Sequence, residues 1–342
     1  MIPLKIFVLP VSGGRFPAQL GQLSEICSLV GAPDLVLGSS GGNISAFVGM
    51  AGGWTSQGIK RVATKLKSSH FLSPWLGRIA PSGLAFPITG SVYGRGTGVT
   101  HLLREEFPEG TSIESTEVWS GTYDSRMRLG QMFCNRAPGN TILSREILSS
   151  DARTYNCAEP MFCSGDIPLL ADVCYASAAL PFIVGPAKIN EKLYIDGGVM
   201  FASPLLPLQG AIKDLSTRTG RSIHMFYFEP YDLNTYYDDT TLYGEFISTL
   251  LHASVITDRA FGISIVSHMA AATSSAFDSL RDIPHTSIPE VRRPTESMFF
   301  SLYHEESSRT IDISSFNGID VITELDSATK GINVRVWSSV AA

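Results

Sequence analysis

Apolar residues follow two rhythms along this chain. Short apolar runs at residues 6–9 and 35–37, and a third at 223–228 interrupted by His224, have the length of buried strands. Residues 128–135 alternate Leu129, Gln131 and Phe133, which reads as a further strand beside residues 117–123. Between these runs apolar positions recur at helical spacing. Leu20, Leu23, Ile26, Cys27 and Val30 share one face of an amphipathic helix over residues 17–30, and Ile59, Val62, Ala63 and Leu66 share one over residues 55–67. Helices are also expected over residues 97–107, 147–151, 166–179, 205–215 and 242–271, and strands over 192–195 and 297–303. The first ten residues are apolar but broken by Pro3, Lys5 and Pro10, so they predict a first strand and not a signal peptide.

Two regions break the rhythm. Residues 68–98 are rich in Gly, Pro, Ser and aromatics, either packed irregularly or forming a cap over a site. Their Phe71, Leu72, Trp75 and Leu76 suit a membrane-facing edge or a buried core, and the core is the commoner fate. The tail over residues 311–336 carries no chemical motif.

Composition narrows the classes. The 342 residues suit one large α/β domain or a domain with a sizeable addition, and 44% apolar against 17% charged residues leaves ample material for a core. A net charge of −6 and no basic run longer than two argue against nucleic-acid binding by phosphate neutralisation. The five cysteines, Cys27, Cys134, Cys157, Cys163 and Cys174, are odd in number and lack metal-type pairing, which suits free thiols in a reducing, cytoplasmic compartment. No apolar stretch reaches membrane-spanning length, so contact with a membrane would be peripheral.

Candidate chemistry lies in three glycine-bearing stretches. Gly38-Ser39-Ser40-Gly41-Gly42 fits G-x-S-x-G, with an apolar run before it and helical spacing (Ile44, Phe47, Val48, Ala51) after it. That context is a nucleophile elbow, a strained strand-to-helix turn that exposes the Ser40 hydroxyl near helix N-terminal amides. After the first strand, Gly13-Gly14-Arg15 suits amides converging on an anion, an oxyanion hole; a phosphate loop or a plain turn are the other readings. Asp196-Gly197-Gly198 ends a strand, either presenting a carboxylate or turning a hairpin. The seven histidines (His70, His101, His224, His252, His268, His285, His304) sit in contexts without a loop signature. No His, Asp or Glu cluster has ligand spacing, so neither metal nor cofactor is expected.

Taken together in this order, Ser12-Gly13-Gly14-Arg15, Gly38-Ser39-Ser40-Gly41-Gly42 and Asp196-Gly197-Gly198 resemble the patatin-like phospholipases. Ala176-Ser177-Ala178-Ala179-Leu180-Pro181-Phe182 is similar to the helix end that precedes the aspartate strand in that family. The resemblance covers about residues 4–205 of a single domain over 1–342, leaving the strands and helices of 206–342 without an assigned role. Ser12 stands where a third glycine is usual, and Phe16 where glycine commonly follows the basic residue. The resemblance implies a three-layer α/β/α sandwich with a mostly parallel central sheet. It implies a lipid acyl hydrolase cleaving carboxylic esters of phospholipids or related lipids through a Ser40–Asp196 dyad and an acyl-enzyme. Amides of Gly13, Gly14, Arg15 and Gly41 would hold the oxyanion, with Arg15 alternatively steering a lipid phosphate. A non-catalytic lipid- or protein-binding member of the fold, and an acyltransferase using the same acyl-enzyme, are the alternatives.

Overall fold

The computed structural model describes residues 2–74, 91, 93–96, 98–107, 115–181, 184–200, 204–221, 223–228, 298–301, 315, 317–328 and 333–338. The chain opens with β1 (Leu4–Leu9), a 3-10 turn at Gly13–Arg15, α1 (Phe16–Val30), β2 (Leu35–Ser39) and α2 (Gly41–Ala51). Then come α3 (Ser56–Ala63), the single turn α4 (Ser68–Phe71), the short strands β3 (Leu72–Pro74) and β4 (Tyr93–Arg95), and α5 (Gly98–Glu106). The middle of the chain holds β5 (Glu117–Asp124), β6 (Leu129–Cys134), α6 (Arg145–Thr154), β7 (Met161–Phe162) and α7 (Ile167–Ser177). A hairpin of β8 (Ala187–Ile189) and β9 (Lys192–Asp196) precedes α8 (Gln209–Thr219) and β10 (Ile223–Phe228). Last are β11 (Met298–Ser301), α9 (Gly318–Ala328) and β12 (Asn333–Ser338).

Among the described residues one mixed sheet has the order β11-β12-β10-β1-β2-β5-β6-β7, with β9 joined to β5 and β8 to β9. Its centre, β10-β1-β2-β5, is parallel, while β12 pairs antiparallel with β10, β6 and β9 pair antiparallel with β5, and β7 runs parallel to β6. Successive residues of a strand point to opposite faces, and here each face has its own core. Phe7, Leu9 and Val36 pack with Leu20 and Leu23 of α1 and Phe47 of α2, whereas Ile6, Val8, Leu35 and Leu37 pack with Leu148 of α6 and Ile212 and Leu215 of α8. Helices therefore cover both faces, which is the expected α/β/α sandwich. It also explains why the central strands read as continuous apolar runs.

Helix α1 departs from the amphipathic expectation. Gln19, Gln22 and Ser24 are buried along with its apolar stripe, because α1 lies on the sheet between α2, α3 and α9. Gln19 Nε2–H donates to the carbonyls of Pro10 and Phe228 at 3.3 and 3.4 Å, so the polar side of the helix faces backbone and not water. A covering helix from residues 318–328 leaves no trace in the local pattern of residues 17–30.

The region after residue 205 supplies β10, which pairs with β1, and β12 beyond it. The strand expected over 297–303 is observed as β11, while α9 and β12 were not anticipated. The helix expected over 242–271 and the residues Trp75, Leu76 and Phe182 lie outside the described residues, as does most of the 68–98 segment.

Candidate active site

Strand β2 is buried along its whole length and pairs in parallel with β1 on one side and β5 on the other. Two ladders thus set its direction as far as Ser39. The backbone then reverses within one residue. Ser40 has φ 55° and ψ −132°, a conformation that costs a side-chain-bearing residue about 1–3 kcal/mol. Helix α2 begins at once, with the Asn43 amide donating to the Ser40 carbonyl at 2.9 Å. Close approach to β1 demands the glycine at 42: a Cβ there would overlap the carbonyl oxygens of Leu9 and Pro10. A Cβ at Gly41 would collide with Ser12 Oγ and lie 2.8 Å from the Gly13 carbonyl oxygen. The loop after β1 is therefore seated on the start of α2.

The sheet brings Asp196 to this elbow by register. Along one edge of β5, β2 runs until Ser39 lies opposite Gly121. Strand β6 holds the other edge, so β9 shares the edge of β2. It runs the opposite way and ends with Asp196 opposite Thr122. Two strands meet end to end at consecutive residues of β5. At the junction Ser40 Oγ–H donates to Asp196 Oδ2 at 2.7 Å, and the Gly198 amide donates to Asp196 Oδ1 at 2.6 Å. Both Ser40 and Asp196 are only 2% exposed. Burial pushes the Asp196 carboxyl up to about 7, against the downward pull of the hydrogen bonds from Ser40 and Gly198. The hairpin alternative for Asp196-Gly197 does not hold. The β8–β9 turn lies at Asn190 and Glu191, both at positive φ (47° and 63°) as a type I′ turn requires. Asp196 instead caps a 3-10 turn over Gly197–Val199.

Gly13 (φ 49°) and Gly41 line a pocket together with Ser40, while Gly14 and Arg15 are buried. The Arg15 amide donates to the Ser12 carbonyl at 2.9 Å, closing the 3-10 turn. The residue is 6% exposed. The amides of Gly13, Gly14 and Gly41 find no acceptor among the described residues. The pocket wall is apolar, made by Phe16, Ile44, Phe71, Leu72, Leu180 and Val184 with the ring of Tyr175. Phe71 and Leu72 thus take the buried alternative.

A model of the patatin-like phospholipase family matches residues 12–208, more than half of the chain. The chain belongs to that family. No curated protein matches it. Patatin-like phospholipases are lipid acyl hydrolases, so membership makes a lipid the class of substrate. The match takes in the glycine turn, the elbow and Asp196, and it stops before β10, α9 and β12. Those elements nonetheless join the patatin-like core through β1 and α1.

Other groups around the patatin-like site complete its description. Of the histidines, His70, His101 and His224 are described, and Ser40 has no hydrogen bond to an imidazole among the described residues. His252, His268, His285 and His304 lie outside them. No described group of three or more His, Cys, Asp or Glu is placed to hold a metal ion. No helix of the described residues is long and apolar enough to cross a membrane. Tyr175 is fixed in the pocket wall: its hydroxyl donates to the Gly185 carbonyl at 2.7 Å, and the Arg95 guanidinium, ion-paired to Asp172, lies 5.2 Å from its ring centre. Ser177, to which the sequence reading assigned no bond, accepts from the Ser40 amide at 3.1 Å. The one sequence signal for it is a lone hydroxyl among alanines at the end of a helix.

Proposed function

We propose that this patatin-like chain is a serine lipid acyl hydrolase of phospholipase A type, with Ser40 as nucleophile and Asp196 as its base. The reading is carried by one observation, the 2.7 Å hydrogen bond from Ser40 Oγ to a buried carboxyl. The strained elbow and the apolar pocket beside it support the same reading. Ser40 Oγ attacks the acyl carbonyl carbon while its proton passes to Asp196 Oδ2. The alkoxide of the collapsing intermediate leaves with that proton as the alcohol, and an acyl-enzyme remains. Water then gives its proton to Asp196 and attacks the acyl carbon. Ser40 departs with the proton, and the fatty acid is released.

A carboxyl near its ordinary pKa is a weak base for a hydroxyl, and one raised to about 7 is matched to neutral pH. Gly41, at the N-terminus of α2, and the Gly13–Gly14 turn supply the oxyanion donors, each worth about 3 kcal/mol in comparable sites. The apolar wall takes the acyl chain, and a substrate embedded in a bilayer brings the protein into peripheral contact with the membrane.

The test is fatty-acid release from defined phospholipids, lysophospholipids and triglycerides, with fluorophosphonate labelling in parallel. Ser40→Ala abolishes both labelling and turnover, and Asp196→Ala lowers turnover at least about a thousandfold. Near-normal turnover by Asp196→Ala would show that another group is the base.

A further inference from the structure

The mechanism above uses two side chains, and both are suspended from a third element. Ser177 ends α7 and is fully buried. Its hydroxyl accepts from the Ser40 amide at 3.1 Å and donates to the Gly121 carbonyl at 2.6 Å. Two residues on, the Ala179 carbonyl accepts the Asp196 amide at 3.0 Å. One turn of chain therefore holds the backbone of both Ser40 and Asp196.

The place of the hydroxyl is informative. Ser39 lies opposite Gly121, and Ser40 is where the backbone leaves the ladder. The Ser40 amide reaches Gly121 only through Ser177, so a side chain continues the β2–β5 ladder for one step after the backbone has turned away. A residue at φ 55° and ψ −132° persists only where its surroundings over-determine it, and this relay is one of the constraints. The elbow amide is also committed here, which leaves Gly41, next in the chain, as the donor that faces the pocket.

We propose that Ser177 is a positioning residue for the reaction: by clamping the Ser40 amide to β5 from the same turn that holds Asp196, it sets the nucleophile-to-base distance. This rests on the Ser40–Asp196 reading. Ser177 does not line the pocket, so it acts on the geometry of attack and not on substrate binding.

The experiment compares Ser177→Ala and Ser177→Cys with the wild-type chain, with Ser40→Ala and Asp196→Ala run alongside. Turnover of a phospholipid is expressed per site titrated with fluorophosphonate. A displacement of the nucleophile of about 1 Å costs on the order of a hundredfold, so Ser177→Ala is expected to lose about 10- to 100-fold in kcat with KM within about twofold. The rate of fluorophosphonate labelling falls in parallel. Ser177→Cys keeps the shape but has a weaker donor and acceptor, and it falls between alanine and wild type. A lower Tm with unchanged kcat per titrated site would mean a purely structural role and overturn the proposal, as would a change confined to KM. If Ser40→Ala and Asp196→Ala are inactive while Ser177→Ala turns over normally, the positioning role falls and the dyad stands. If Ser40→Ala turns over normally, both fall. Should neither Ser177 variant fold, amide hydrogen exchange of the wild-type chain decides. Protection of the Ser40 amide equal to that of the β2–β5 ladder supports the relay, and exchange as fast as a surface loop overturns it.

Discussion

Replacing Asp196 by asparagine separates what this carboxyl does for catalysis from what it does to the fold. The carboxyl is 2% exposed and raised by burial to about 7 from an ordinary value of 3.8. A carboxyl whose folded pKa lies above its unfolded pKa favours folding while it is protonated. That contribution is fully present below about pH 3.8, and it is lost as pH rises through about 7. Between those limits the unfolded chain ionises and the folded chain does not. The loss is about 1.4 kcal/mol per pH unit, or about 4 kcal/mol in all. Asparagine fills the same space without this loss. Its carbonyl can accept from Gly198, and its amide can donate to Ser40 Oγ, whose hydroxyl rotates to accept. Urea unfolding followed by the fluorescence of the buried Trp54 and Trp119 is the assay, run on both chains between pH 5 and pH 9. The stability of Asp196→Asn over wild type is expected to widen by about 3 kcal/mol from pH 5 to pH 7 and to stay level above. Turnover is lost at every pH. A gap that stays constant from pH 5 to pH 8 would mean that the carboxyl titrates as an exposed aspartate does, and the buried-base reasoning would be refuted.

Three further outcomes follow from the same geometry. In the wild-type chain kcat/KM should fall about tenfold per pH unit below about pH 7, where Asp196 is protonated, and level off above it; a profile flat down to pH 5 counts against this base. Gly42→Ala drives a Cβ into the carbonyl oxygens of Leu9 and Pro10, so it should cost about 3 kcal/mol in urea unfolding and abolish fluorophosphonate labelling. Asp166→Ala removes the carboxylate that caps the Leu169 amide at the start of α7; it should cost about 1 kcal/mol and leave kcat unchanged, since the cap lies at the opposite end of the helix from Ser177.

The parts of the site that were legible beforehand are those whose chemistry is local. An apolar run, G-x-S-x-G and helical spacing are all that a strand–turn–helix elbow needs, and β2 and α2 lie where that pattern put them. Asp196 was less legible. Asp-Gly equally suits a hairpin turn, and the choice was made by the Asn190-Glu191 turn and by the register of β9 on β5. The sequence neighbours of Arg15 say nothing of which acceptor takes its amide, and the 3-10 turn decides that. The buried polar side of α1 and the role of Ser177 were invisible for one reason: each depends on partners more than a hundred residues away in the chain.

The sequence by itself determined where β2 ends and α2 begins and that a serine stands at the tight turn between them. Backbone sterics and hydrophobic periodicity act over a few residues and are written there. Tertiary structure alone decided that Ser39 and Asp196 face consecutive residues of β5, and so that a hydroxyl and a buried carboxyl lie 2.7 Å apart. Register and burial are properties of the assembled sheet: no short stretch of chain carries the ladder that aligns two strands or the packing that excludes water from between them.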